Sequence, residues 1–224
     1  MSFKKVIDLT HPIQEGMLTF EASWHPRTSI QQLGRIGLEG RESRKLELGT
    51  HTGTHIDSPL HFIENGAGID ETAVDTLIGS VTIVDFSHLK SNEVVTRAMV
   101  EKVRITPRMI LRFGWGKHWG LRKFYHGYPH LSEEAAHYLV KKGVKLLGYD
   151  IPSPDDSRIM LTPETLGTHA DSPVHKIFLS HSLVLVEYLA NLEKIKELTG
   201  WNIVALPLKI TGADGSPARV LLFK

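Results

Sequence analysis

The chain has 224 residues, is 41% hydrophobic and 23% charged, and carries a formal net charge of +1. These values suit one soluble globular domain over residues 1–224, expected in the cytoplasm, with no electrostatic footprint for nucleic acid or an anionic membrane surface. The absence of cysteine excludes disulfides, thiolate metal sites and a catalytic thiol.

The opening MSFKKVIDLTHPI has no apolar run of the kind a secretion signal needs, and no later stretch approaches the roughly 20 apolar residues of a membrane span. In chain order, Lys5–Thr10 (KVIDLT) reads as a strand, as does Arg44–His55 (RKLELGTHTGTH). Val74–Gly79 suits one helical turn, Ser80–Ser87 (SVTIVDFS) a buried strand, Asn92–Val103 a short helix and Met109–Trp115 a further strand. Gly114–His130 is rich in glycine and aromatics, a loop that either lines a pocket or packs on the surface. Leu131–Gly143 carries a full set of helix signals: Ser132 for the N-cap, Glu133 and Glu134 at the positive end, Lys141 and Lys142 at the negative end, and Gly143 as the stop. Val144–Ile151 and Trp201–Ile210 read as strands, and Asn191–Gly200 as a third helix. Strands interleaved with short helices indicate an α/β or α+β domain.

Histidine is the outlier, with 13 copies that cluster. The segment HTGTHIDSPLH holds His51, His55, Asp57 and His61. As a helix it would bring His51 and His55 together but send Asp57 elsewhere, and Gly53, Pro59 and the threonines oppose helix. As a strand it puts residues 51, 55 and 57 on one side, yet separates His51 from His55 by about 13 Å at roughly 3.3 Å per residue. Two metal–nitrogen bonds of about 2.0–2.1 Å barely cover that span. The backbone is therefore expected to bend at Gly53, and Pro59 to end the strand and return His61 to the same place. Histidine and carboxylate donors without thiolate suit a divalent metal, Zn²⁺ first, with Mn²⁺ or Fe²⁺ as alternatives, as one or two ions. An aspartate can bridge two ions, and a two-ion site can generate hydroxide and clamp an oxyanion.

GTHIDSPLH (residues 53–61) recurs as GTHADSPVH (residues 167–175), with seven of nine positions identical, so His175 stands where His61 stands in the first copy. Thr165 replaces the counterpart of His51, so His169 and Asp171 read as supporting residues more than as ligands, and His181 as a further rival. Glu187 is the one charge in HSLVLVEYL; a carboxylate there is costly to bury unless it meets a cation, and the alternative is an exposed strand end. Asp150 and Ser153 are candidates to hydrogen-bond ligand histidines from outside.

HTGTHIDSPLH matches HxGTHxDxPxH at every fixed position, and the chain thereby resembles the cyclase family of metal-dependent hydrolases. IDLTHPI, GWGKHWG, YDIPSPDD and EYLANL resemble later and earlier blocks of that family, so the resemblance covers most of the chain. It implies a three-layer β/β/α cyclase-like (swivelling) fold. It implies hydrolysis of an amide-type bond, arylformamidase-like or in a cyclic amide, with lactone hydrolysis, cyclisation or a non-catalytic metal-containing binding protein as alternatives. It implies that His51, His55 and Asp57 hold a first ion and that Asp57 bridges to a second. His175 and Glu187, twelve residues apart, would complete the second. It further implies His61 as proton donor and acceptor, Trp24, in the divergent context EASWHP, as a residue packing on a small-molecule substrate, and a homodimer or homotetramer in which a neighbour helps to complete the pocket.

Overall fold

The computed structural model describes residues 4–160 and 162–224. Strand β1 (Val6–Asp8) is followed by β2 (Ser29–Gly34), the one-turn helix α1 (Ile36–Glu39), β3 (Ser43–Glu47), β4 (His55–Asp57) and α2 (Val74–Leu77). Next come β5 (Ile78–Asp85), β6 (Val94–Val95), α3 (Arg97–Val100), β7 (Arg108–Arg112), β8 (His130–Leu131), α4 (Glu133–Lys141) and β9 (Leu146–Tyr149). The chain ends with α5 (Pro173–Ser180), β10 (Val184–Glu187), β11 (Trp201–Pro207) and β12 (Gly215–Phe223).

Eight strands form one sheet in the order β1-β12-β11-β5-β7-β9-β10-β4, and β4 also pairs with β12, joining the sheet into a ring. β12 is long enough to do both: Gly215–Pro217 pairs with β4 while Ala218–Phe223 pairs with β11. The run from β5 through β7 and β9 to β10 is parallel. Of these, β7, β9 and β10 are buried on both faces, which is why they read as continuous apolar runs rather than alternating ones. Ile110, Leu146, Val184 and Val186 pack with Ile56, Ile203 and Val220 in one core. Their neighbours Met109, Leu111, Leu147 and Leu185 pack on the other side against Ala136 and Leu139 of α4 and Phe178 of α5. Two β layers and a helical layer result, the mixed α/β arrangement the sequence predicts.

Ser132 caps α4, its Oγ accepting from the Ala135 amide at 3.2 Å. Other readings shift. Arg44–His55 is not one strand: β3 stops at Glu47, and the chain turns through Gly53 (φ 66°) before β4. Within Asn92–Val103 the β-branched pair Val94–Val95 joins β8 as a short parallel strand, leaving one helical turn in α3. Asn191–Gly200 holds only a 3-10 turn at Leu192–Lys194; Asn191 adopts a left-handed conformation (φ 59°), and its side chain donates to the Asp8 carbonyl. β10, β12 and α5 go beyond the predicted elements.

The seam between β12 and β4 is tight. A Cβ on Gly215 would lie 2.7 Å from the Ile56 carbonyl oxygen and 3.0 Å from His51 Cε1. Gly215→Ala should therefore lower the unfolding free energy by about 1–3 kcal/mol in urea titrations; a variant as stable as the parent would show that the seam has slack.

Candidate metal centre

The bend at Gly53 brings the His51 and His55 rings to 5.0 Å between centroids, far closer than a straight strand allows. β4 then carries His55 and Asp57 inward, and its antiparallel register with β10 sets His55 opposite Glu187. Pro59 opens a 3-10 turn whose last residue is His61, returning that ring to 3.9 Å from His51. α5, which starts at Pro173, delivers His175 from its first turn.

These side chains share one pattern: each of three histidines has one ring nitrogen held from outside and the other turned toward buried carboxylates. His55 Nδ1 donates to the Gly53 carbonyl at 2.8 Å, and its Nε2 lies 3.2 Å from Asp57 Oδ1 and 3.5 Å from Glu187 Oε2. His175 Nδ1 donates to Asp155 Oδ2 at 2.7 Å, and its Nε2 lies 3.2 Å from Glu187 Oε1 and 3.7 Å from Asp57 Oδ2. His51 lies between Asp214 Oδ2, 2.8 Å from Nε2, and Asp57 Oδ1, 2.7 Å from Nδ1. A carbonyl can only accept, so His55 Nδ1 carries a proton and a neutral ring would aim its Nε2 lone pair at two carboxylates. A doubly protonated ring would relieve that contact but not Asp57 Oδ2, which is buried and has no hydrogen-bond partner. A buried carboxylate oxygen without a donor is costly, and a cation at the focus of these donors removes the cost. The outer acceptors Gly53 O, Asp155 and Asp214 are what metal-binding histidines need to fix tautomer and ring orientation. The donor set therefore fits a divalent ion.

Among the described residues, two groups of potential ligand atoms lie within 4.8 Å of one another: His51, Asp57 and His61, and His55, Asp57 and Glu187. Asp57 belongs to both. Burial pushes the Glu187 carboxyl up, and Asp57 beside it adds to the effect. In Asp57 the burial penalty is outweighed by the charges of His51 and His55 and by hydrogen bonds, which hold its carboxyl well below the usual range. Burial and the neighbouring His51 lower the pKa of His61 despite the Asp214 carboxylate.

The six positions read from the sequence as ligands or proton carrier, His51, His55, Asp57, His61, His175 and Glu187, thus converge. Trp24 lies on the rim of the same cavity, 55% exposed. His169 and His181 do not join them: both are exposed and line a separate groove on the far side of Phe62. Asp171 is buried but bonds Ser172 Oγ and the Gly167 amide. Asp150 reaches no histidine; it accepts from the amides of Phe113, Trp115 and Gly116 and so anchors the aromatic loop. Ser153 supports Asp155, accepting from its amide. That loop packs behind the cavity wall, with Trp119 and Tyr125 against Tyr188. Residues the sequence reading passes over are Asp155, Asp214, His25, whose ring lies 5.9 Å from His51, and Tyr149, whose hydroxyl donates to Glu187 Oε1 at 2.8 Å. Asp155 lies inside the YDIPSPDD block; Asp214 carries no sequence signal beyond a turn-like context.

Residues 7–156 match the model of the Cyclase family, described as "Putative cyclase". The chain is 29% identical over 232 residues to a kynurenine formamidase of Bacillus thuringiensis subsp. konkukian (strain 97-27), with 99% of each chain covered. It is 30% identical over 228 residues to a kynurenine formamidase of Bacillus cytotoxicus, again with 99% of each covered. Among solved structures it is similar in fold to an isatin hydrolase bound to the product analogue thioisatinate, with a TM-score of 0.85 at 22% identity over 98% of this chain and 92% of that one. It is also similar to a potential metal-dependent hydrolase with cyclase activity, with a TM-score of 0.75 at 27% identity over 98% of this chain and 97% of that one.

Stripping divalent ions with a chelator should lower the Tm and re-addition should restore it, because an ion that binds only the folded chain stabilises it. Asp155→Asn, which loosens His175, should weaken ion affinity by about 10–100-fold in a competition assay against a chelating dye. A Tm indifferent to metal would contradict this account of the cluster.

Proposed function

The chain belongs to the cyclase family, and from that membership and the cluster around Asp57 we propose that it is a metal-dependent hydrolase of non-peptide C–N bonds, arylformamidase-like in its substrates. The single observation that carries the reading is the buried Asp57 carboxylate, which three outwardly anchored histidines approach and one oxygen of which has no hydrogen-bond partner. In this proposal His51, His55, Asp57, His175 and Glu187 hold one or two divalent ions, zinc first and manganese second. The family relationship to kynurenine formamidases supports amide hydrolysis over the lactonase, cyclase and binding-protein readings.

When bound, a divalent ion supplies Lewis acidity, making a nucleophile available from water near neutral pH and polarising a carbonyl. The residues of the chain do the rest. Asp214 Oδ2, 3.2 Å from His61 Nδ1, orients that ring and leaves Nε2 to serve the cavity. A His61 whose pKa is lowered is neutral at pH 7, able to accept a proton as water adds to the carbonyl carbon and to return it to the nitrogen as the C–N bond breaks. The products are an amine and a carboxylic acid, formate where the substrate is a formamide. Trp24 offers an indole face to the aryl group at the rim.

No helix among the described residues is long and apolar enough to cross a membrane. We place the protein in the cytoplasm, as one domain over residues 1–224. A homodimer or homotetramer is supported by the hairpin of β2 and β3, where Leu33, Ile36, Leu38 and Leu46 are 59–72% exposed.

The purified protein should hydrolyse aryl formamides, lose the activity to a chelator and regain it with zinc or manganese. No turnover of any amide, imide or ester at full metal occupancy would overturn the proposal. His61→Ala should lower kcat by about 10²–10⁴-fold with metal content retained; loss of metal in that variant would instead place His61 among the ligands.

A further inference from the structure

One buried hydroxyl beside the cluster takes no part in the chemistry above. Tyr149 is the last residue of β9, and the parallel register that sets Leu147 beside Leu185 and Gly148 beside Val186 brings it beside Glu187. Its ring is fully buried in the core that packs against α4 and α5. Its hydroxyl donates to Glu187 Oε1 at 2.8 Å. Burial and the nearby carboxylates of Glu187 and Asp57 push the phenol well above its ordinary pKa, so it stays a donor. Glu187 lines the cavity that holds the cluster, and Tyr149 stands behind it, out of reach of a substrate.

Glu187 needs such a partner. The terminal torsion of a glutamate is broad and roughly two-fold, so β10 fixes where the carboxylate lies but not how its plane turns. In the structure that plane divides the two oxygens: Oε1 lies 3.2 Å from His175 Nε2, and Oε2 lies 3.5 Å from His55 Nε2. A carboxylate free to turn could instead aim both oxygens at one ion. The Tyr149 hydroxyl opposes that turn, because moving Oε1 away would leave a buried donor without its acceptor. The hydroxyl is itself well fixed. Tyr149 pairs with Leu111 of β7, its carbonyl accepts from the Leu189 amide at 2.9 Å, and a tyrosine has only two side-chain torsions.

Resting on the metal-centre reading, we propose that Tyr149 is a positioning residue: it holds Glu187 with one oxygen toward His55 and the other toward His175, and so sets how tightly and in what geometry the centre takes a divalent ion. It does for the glutamate what the Gly53 carbonyl, Asp155 and Asp214 do for the histidines, as a donor in place of an acceptor.

Tyr149→Phe removes the hydroxyl and keeps the ring. In competition against a chelating dye, this variant should bind Zn²⁺ about 10–100-fold more weakly than the parent. Loaded with Co²⁺ instead, it should show shifted visible absorption bands, because those bands report ligand number and geometry. Tyr125→Phe is the matched control: that hydroxyl donates to the Leu18 carbonyl at 3.0 Å, and its loss should leave Zn²⁺ affinity and the Co²⁺ spectrum as in the parent. Circular dichroism and ion-free melting curves check that each variant is folded. A further pair, Glu187→Ala with and without Tyr149→Phe, tests the route: with the carboxylate gone, the tyrosine's effect on Zn²⁺ affinity should fall below about threefold. That arm stands even where Tyr149→Phe alone is too unstable to titrate. Parent-like Zn²⁺ affinity and Co²⁺ spectrum in Tyr149→Phe, or an equal loss of affinity in both backgrounds, would overturn the assignment. A parent protein that binds neither ion would instead remove the metal centre itself, and the role of Tyr149 with it.

Discussion

The structure depends on burying one carboxylate that the protein alone does not satisfy. Asp57 ends a three-residue strand clamped between β10 and β12, and both of those pairings are needed to close the sheet into a ring. The same register that closes the ring sets His55 against Glu187 and Asp57 against Gly215. Closure and donor convergence are thus one event. A fold that paired β4 with only one neighbour would leave Asp57 on an edge, open to water, where its unpartnered oxygen would cost nothing and hold nothing.

Around that point the backbone accepts strain where the donors need it. Tyr188, directly after Glu187, and Ser172, at the entry to α5, both adopt left-handed conformations (φ 57° and 53°) that non-glycine residues disfavour. Tyr188 is compensated by Thr54, whose hydroxyl donates to its carbonyl at 2.7 Å while accepting from the His11 amide. Thr54 sits between the bend at Gly53 and the donor His55, so one side chain braces both halves of the cluster. Asp214 has a similar double role, since a single oxygen reaches His51 and His61 and ties the orientation of the two rings together.

What could be read from the sequence follows from how local the cause is. The cluster in HTGTHIDSPLH was legible because strand parity, a glycine bend and a proline stop all act within eleven residues. Glu187 was legible as a lone charge in an apolar run. The choice of Asp155 over Asp150 was not, because it depends on where α5 begins: the amides of Val174 and His175 reach Asp155, and the aromatic loop takes Asp150. Asp214 was hidden because the loop between β11 and β12 meets the site only after the ring has closed. The internal echo was half informative. In both copies the proline of SPxH opens a helical turn and places the histidine at its third position, in the 3-10 turn of His61 and in α5 for His175. The THxD half does not repeat its role: it is buried strand in the first copy and mostly exposed turn in the second, because no strand pairs with it there.

That separation extends to the substrate side. Most of the inner donors sit on β4, β10 and α5, elements locked by the sheet and its two cores, whereas Phe20, Trp24 and Met160, which line the same cavity, lie in connections outside any strand or helix. Regular elements hold geometry to a fraction of an ångström, and loops tolerate change in length and composition. A chain built this way can reshape the mouth of its cavity by exchanging a few loop side chains without disturbing the register that buries Asp57. The converse does not hold. A residue of the cluster cannot be exchanged freely, because each inner histidine is held by an acceptor matched to it, and a partner left behind in the dry interior is itself costly. Substrate choice is accordingly the adjustable layer of this architecture, and the chemistry is the fixed one.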